Sequence, residues 1–351
     1  MPTLGRIEEK RLRNIPLQYR ADHEFCFHIH DLMVGLLVEM EAKRSGMVSF
    51  KIETEEDLSA LQSGAHILDF LSRTGRGNLE RRAVVNHVTA ALFSDMLHFV
   101  YEGLLALEKR KFSVSLNLLR KPFKENMLIA ALACADEEKF FEKLKSDAKN
   151  LLNKKELDPA RIIQVIESAK QRCRGSAFAN SDQIYSIAFD RKNIDGLAPL
   201  FDKATHLVTE NQQIATEDYN LNFIFKNPED NDIYSSIYRK LSVLLLFCHV
   251  MQVELVGRTG LKKKGYLDWL LFTAIGSYES LFAAGRSNTA AMINKEFKQF
   301  LNCPACGDDI SIRKADLAKF LICEIADCKA CGTSHHFPVG WLLSRIDLNI
   351  S

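Results

Sequence analysis

Apolar residues return at three- and four-residue steps through most of the first 300 positions, the period of helices that each turn one face to a core. In residues 22–43 the returning set is Phe25, Ile29, Leu32, Met33, Leu36, Leu37 and Met40. The pattern changes at 47–54, where Val48, Phe50 and Ile52 alternate with polar neighbours and predict a short strand. Residues 56–72 predict another helix and 72–78 a loop. Residues 79–110 hold the longest uninterrupted helical pattern, with no proline and only Gly103. At about 1.5 Å per residue such a helix reaches ~48 Å, enough to act as a spine. Further helices are predicted at 113–134, 137–153, 158–174, 182–189, 196–210, 232–257, 266–284 and 288–300, with a short strand at 221–225 inside a polar stretch. The run 241–257 carries His249, Gln252 and Glu254, so it reads as a buried core helix and not as the ~20 nearly uncharged residues of a bilayer span. The chain is therefore expected to be mainly α, a multi-helix body over 1–300 followed by a small module with short β-strands over 301–351.

Composition supports this division. Gly (17) and Pro (8) are scarce for 351 residues, and closely spaced hairpins need both. With 46 basic and 45 acidic residues the formal charge is +1, which excludes a whole-molecule basic field for nucleic acid but not a local patch. Residues 1–14 mix charges of both signs without an apolar run, so no signal peptide is expected there. Cys26, Cys134, Cys173 and Cys248 stand singly in helical sequence, whereas the other five of the nine cysteines crowd into the last fifty residues. Scattered thiols plus a cluster fit a reducing cytoplasm, no membrane, and a metal site.

Cys303-Pro-Ala-Cys306-Gly307 and Cys328-Lys-Ala-Cys331-Gly332 form two CxxCG knuckles. Each knuckle offers two thiolates from a tight turn, and together they supply the four sulfurs of a closed tetrahedral Zn²⁺ site with no position left for chemistry. The module resembles a zinc ribbon, with strands expected at 310–312, 320–325 and 335–343. Cys323 then falls in the second of these strands as a core residue, with Cys323, His335 or His336 as substitute ligands in a variant arrangement. Five basic and six acidic side chains between 301 and 351 give the module little pull on a phosphate chain, so protein docking is as natural a role for it as nucleic-acid binding.

The spine helix carries His87, Ser94, His98 and Glu102 along one side, with Asp95 at its edge. His23, His28, His30 and Asp31 on the first helix, and His66 and Asp69 on the second, are comparable polar features. One reading makes His30, Asp31, Asp95 and His98 a bundle metal site, although the Glu-x-x-His pair of such sites is missing.

The same helix begins Arg81-Arg82-Ala83-Val84-Val85-Asn86-His87, and this Arg-x4-His spacing resembles the ribonuclease motif of the HEPN superfamily. The resemblance implies that His87 handles the proton of an RNA 2′-hydroxyl while Arg82 stabilises phosphate charge, without a metal. Ala83 stands where that family has a polar residue. From about residue 99 to 256 the pattern also resembles a helical family linked to abortive infection, with Arg120 and Glu125 as its Arg-x4-Glu pair, expected to be a buried ion pair. These resemblances imply an effector or sensor of a prokaryotic defence or stress system acting on nucleic acid. The alternative is a non-catalytic adaptor with the body as scaffold and the ribbon as its docking module. Markers of NTP hydrolysis, dinucleotide binding, serine hydrolysis and zincin proteolysis are absent from the sequence.

Overall fold

The computed structural model describes residues 3–208, 215–216, 218–219, 221, 231–261 and 264–343. After a short turn of helix, α1 (Glu9–Leu12), the chain enters α2 (Leu17–Ala42). α3 (Glu55–Gln62) and α4 (Ile67–Arg73) follow, each opened by a side chain that accepts a free backbone N–H: Thr54 from Asp57, and His66 from Leu68. The single helix expected at 56–72 is thus two, because His66 starts a new one. The strand expected at 47–54 does not form. A strand needs a neighbour to take its backbone hydrogen bonds, and among the described residues none lies beside it. Its aromatic residue is used differently: Phe50 sits 5.7 Å from the Phe70 ring, with the Arg76 guanidinium over both.

The spine is α5 (Gly77–Glu108), followed by α6 (Phe112–Lys121), a π-helical turn (Pro122–Asn126) and α7 (Met127–Ala135). Pro122 lacks an N–H, and the wider turn lets the chain continue through it, with the Met127 N–H returning to the Pro122 carbonyl. α8 (Glu137–Asp147), α9 (Pro159–Arg172) and α10 (Ser181–Ala188) are capped by Asp136, Asp158 and Asn180. α11 (Ala198–Thr205) precedes α12 (Asp232–Gly257). The expected strand at 221–225 lies almost entirely outside the described residues.

α12 fills the centre. Nearly every residue from Leu241 to Val256 is buried, and the Gln252 amide donates to the Met33 carbonyl of α2 at 2.9 Å. α13 (Lys264–Phe282) packs against both α2 and α12. By length and composition α5 and α12 could each cross a bilayer, but 83% of the most apolar stretch of α12 is buried inside the protein, against 44% for α5. The core-helix reading of 241–257 therefore agrees with its packing, and α5 keeps an uncovered apolar side.

A second, smaller core gathers Phe272 with residues of α14 (Asn288–Glu296) and of the cysteine-rich tail. The tail contains α15 (Lys314–Cys323), an antiparallel pair β1 (Ile325–Asp327) and β2 (Ser334–His336), and α16 (Val339–Leu343). In the pair, Ala326 faces His335. The three strands expected here do not form as drawn. Residues 320–323 are helical and only 325 onward is strand, while β2 ends at His336 and helix resumes at Val339. Leu317, Phe320 and Leu321 face the smaller core and Ala318 and Ile322 the larger one, so α15 is buried on two sides and shows no period to read. At 310–312 there is no ladder; the nearest pairing is an isolated bridge between Asn302 and Asp309.

Candidate functional site

Both knuckles are built alike. Cys303 N–H donates to the Asp308 carbonyl and Gly307 N–H returns to Cys303, at 2.8 and 2.9 Å. Cys328 and Gly332 repeat this, with Thr333 in place of Asp308, at 2.9 and 3.0 Å. Each turn closes through a left-handed residue, Gly307 at φ +82° and Gly332 at φ +75°, a conformation glycine adopts without strain.

The four sulfurs lie within 4.8 Å of one another. Cys303 and Cys331 are 3.6 Å apart, Cys306 and Cys328 3.7 Å. Those separations match the ~3.8 Å edge of a tetrahedron with ~2.3 Å metal–sulfur bonds, and they are far from the ~2.05 Å of a disulfide. Burial raises the Cys303 thiol, but the N–H groups of Cys306 and Ala305 and the neighbouring thiols outweigh it and bring the group down to about 6. A thiol that ionises readily in this way is prepared to bind a cation. The four cysteines can hold one metal ion and leave it no open position.

Cys323 stands apart. It ends α15 rather than a strand, donates to the Leu4 carbonyl at 3.4 Å, and is raised by burial, so it ties the tail to the N-terminal segment. His335 Nε2 approaches Cys303 Sγ at 3.1 Å, whereas His336 turns to Glu324 at 3.5 Å. His335 therefore touches a ligand from outside the four-sulfur cluster.

Arg82 and His87 are not brought together. Five residues along a helix turn ~500°, leaving the two side chains about 140° apart. Arg82 bonds Glu137 of α8 at 3.3 Å, a carboxylate also approached by Arg258 at 3.6 Å, while His87 faces α2 across a cleft. The bundle-metal set divides in the same way. Asp31 pairs with Arg6 at 2.6 Å, and Asp95 with Lys121 and Asn126, both at 2.8 Å. Burial works to raise Asp95, but these two partners hold it below the usual carboxylate range. Among the described residues no metal-binding group of three or more His, Cys, Asp or Glu exists besides the four cysteines.

What does converge is His87, Ser94, His98 and Glu102 of α5 with His30 of α2, along a cleft of about 1100 Å³ between the two helices. The helices run antiparallel: the His30 and Tyr101 rings lie 5.5 Å apart at one end, and Asn86 donates to the Gly46 carbonyl at 3.1 Å at the other. The stripe on α5 is visible in sequence. Its opposite wall, including Val34, Val38, Glu41 and Arg44, carries no local signal of that role, because it is set by how α2 lies against α5.

Two short basic runs, Lys109-Arg110-Lys111 and Lys262-Lys263-Lys264, are also candidates for contact with phosphate; in the first, Arg110 lies over the Phe112 and Tyr234 rings and bonds Asn231, so it is committed to packing. Residues 262 and 263 are outside the described set. Arg120 and Glu125 meet across the π turn at 4.0 Å with 35% and 47% of their side chains exposed, a surface contact and not the buried pair expected. No family model matches the chain, nor does any curated protein or solved structure. The class that fold and site define is a mainly helical protein with a four-cysteine metal module; the HEPN and abortive-infection resemblances rest on the quoted residues alone.

Proposed function

We propose that the protein is a non-catalytic adaptor: the helical body is the scaffold, and the tail is a zinc ribbon whose Zn²⁺ shapes a protein-docking module. The observation that carries this reading is the four-sulfur cluster, which fills a tetrahedron and leaves the metal no place for substrate or water. Zn²⁺ is the ion assigned because four thiolates in tetrahedral array suit it and it brings no redox chemistry. Where the body meets the module, Phe300 and Trp341 meet edge to face at 6.2 Å while both stay more than two-fifths exposed, the kind of aromatic pair that contacts between proteins favour.

The competing reading, an RNA-directed effector of a defence system, needs Arg82 and His87 to share one phosphate, and Arg82 is engaged with Glu137 on another side of the helix. Purified protein incubated with RNA in EDTA separates the two. The adaptor reading expects intact RNA from wild type and from His87→Ala alike. RNA cleavage by wild type that disappears in His87→Ala would overturn it.

A further inference from the structure

α5 and α12 are both long and apolar, yet only α12 is enclosed. The uncovered side of α5 faces the cleft, whose rim leaves Val38 60%, Met47 70% and Tyr101 41% exposed. Resting on the adaptor reading, we propose that this cleft receives an amphipathic helix of a partner protein, running parallel to α2, with one basic residue at each end of an apolar stripe.

The shape supports a helix. From Asn86 to Glu102 the cleft follows α5 for seventeen residues, about 24 Å at ~1.5 Å per step. Its volume of about 1100 Å³ is at the upper end of small-ligand sites, and it is an open trough and not an enclosed pocket. Ala90, Ala91 and Ser94 line it from α5, and such small side chains let another helix approach closely. Val34, Leu37 and Val38 of α2 supply the apolar wall opposite, the arrangement in which a groove takes the apolar face of a helix.

Charge fixes the polarity. Glu41, Arg44 and Glu102 all line the cleft, and none of their side chains has an ion-pair or hydrogen-bond partner among the described residues. His30 is level with Tyr101, next to Glu102, and Glu41 lies eleven residues further along α2. The two carboxylates are therefore about 16 Å apart along the trough, the rise of eleven helical residues. A partner with Lys or Arg at positions i and i+11 meets both. Arg44 lies just beyond the end of α2, in a left-handed turn at φ +50°, on the side where the last carbonyls of a helix parallel to α2 would fall, and Glu102 lies where its first N–H groups would fall. Glu102 at one end and Arg44 at the other favour the helix dipole in that direction; Glu41, beside Arg44, offsets part of that effect unless the partner's basic residue pairs with it.

The test uses full-length, zinc-loaded protein and two fluorescein-labelled helical peptides of eighteen residues. They share a Leu/Ala stripe and carry either Lys or Glu at positions 4 and 15. Anisotropy titration is expected to show wild type preferring the Lys peptide by about tenfold, from two attractive pairs exchanged for two repulsive ones. The double variant Glu41→Lys/Glu102→Lys should reverse that preference. Ala91→Trp, at an exposed position, should abolish binding of both peptides while leaving the thermal midpoint unchanged. Binding that ignores peptide charge or survives Ala91→Trp would refute the site, as would no binding of either peptide. A dimer in sedimentation that Ala91→Trp dissociates would refute the choice of occupant in favour of a second copy. None of these failures touches the adaptor reading, which the RNA assay decides by itself.

Discussion

Glu24 accepts the backbone N–H of Arg6 on Oε1 at 2.7 Å, in a fully buried position. The same carboxylate takes the N–H groups of Leu4, Gly5 and Ile7 and the Thr3 hydroxyl, so one side chain holds five donors of the N-terminal segment. Leu4 in turn accepts from Cys323, which places this segment between α2 and the helix that leads into the metal site. Charge-assisted bonds of this kind are among the stronger ones in a protein. Glu24→Gln keeps the shape but sets an amide group against backbone donors, and a loss of about 3 kcal/mol is expected in urea unfolding. A change under about 0.5 kcal/mol would show that the segment contributes no stability through Glu24.

His335 gives a prediction about the metal. It contacts Cys303 from outside the sulfur cluster, so His335→Ala should retain one equivalent of zinc by mass spectrometry. Its affinity in a chelator competition should fall by about tenfold or more, the usual effect of removing a group that orients a ligand. Cys303→Ser and Cys328→Ser should fail to hold a full equivalent. If His335→Ala loses metal as completely as these variants do, the histidine is itself a ligand.

Two buried histidines make the fold sensitive to acid. Burial pushes His28 down to about 3, with the nearby Arg6 guanidinium and His249 adding to the effect, and Asp31 opposing it. Burial likewise lowers His249 to about 4 against the pull of the Leu270 carbonyl. Neither ring nitrogen of His28 has a hydrogen-bond partner among the described residues. Because both folded values lie below the ordinary one near 6.5, their contribution is complete above that pH and is lost as pH falls toward the folded values. Each histidine costs up to ~1.4 kcal/mol per pH unit, so these two should contribute about 2–3 kcal/mol of lost stability between pH 7.5 and 5.5, with buried His23, also lowered by burial, adding to the loss and Asp22, raised by burial to about 6, opposing it. Urea midpoints at the two values measure it, and in His28→Leu the drop should be smaller by about 1.4 kcal/mol.

The metal module is keyed to the body through Gly276. A Cβ there would meet Leu321 Cδ1 of α15 at 2.6 Å and Thr289 Cγ2 of α14 at 2.9 Å. Gly276→Ala should cost about 1–2 kcal/mol, the overpacking being partly offset by the better helix propensity of alanine. Gly35→Ala is the matched control, since its Cβ would meet only Tyr266 Oη, at 3.7 Å. It should be neutral or stabilising by up to ~1 kcal/mol in the same thermal scan.

Sequence alone determined whatever depends on neighbours within a few turns. The helical period located α2, α5, α12 and α13 to within a few residues, apart from a five-residue lead at the start of α2, because each shows a core a periodic face or an unbroken apolar run. The knuckle spacing brought out the four cysteines, since two CxxCG turns fix their own geometry. Tertiary structure decided the rest. The stretch at 320–323 is helix because two cores bury it from opposite sides, which removes the periodicity a reader relies on. Arg82 and His87 share a short motif but point to different neighbours, a matter of angle around α5 and not of spacing along it. The cleft joins residues near 30–47 to residues near 86–102, and its walls exist only because two helices with 34 residues between them in the chain lie side by side. A local pattern carries no information about such a pairing, which is set by the balance of packing over the whole core.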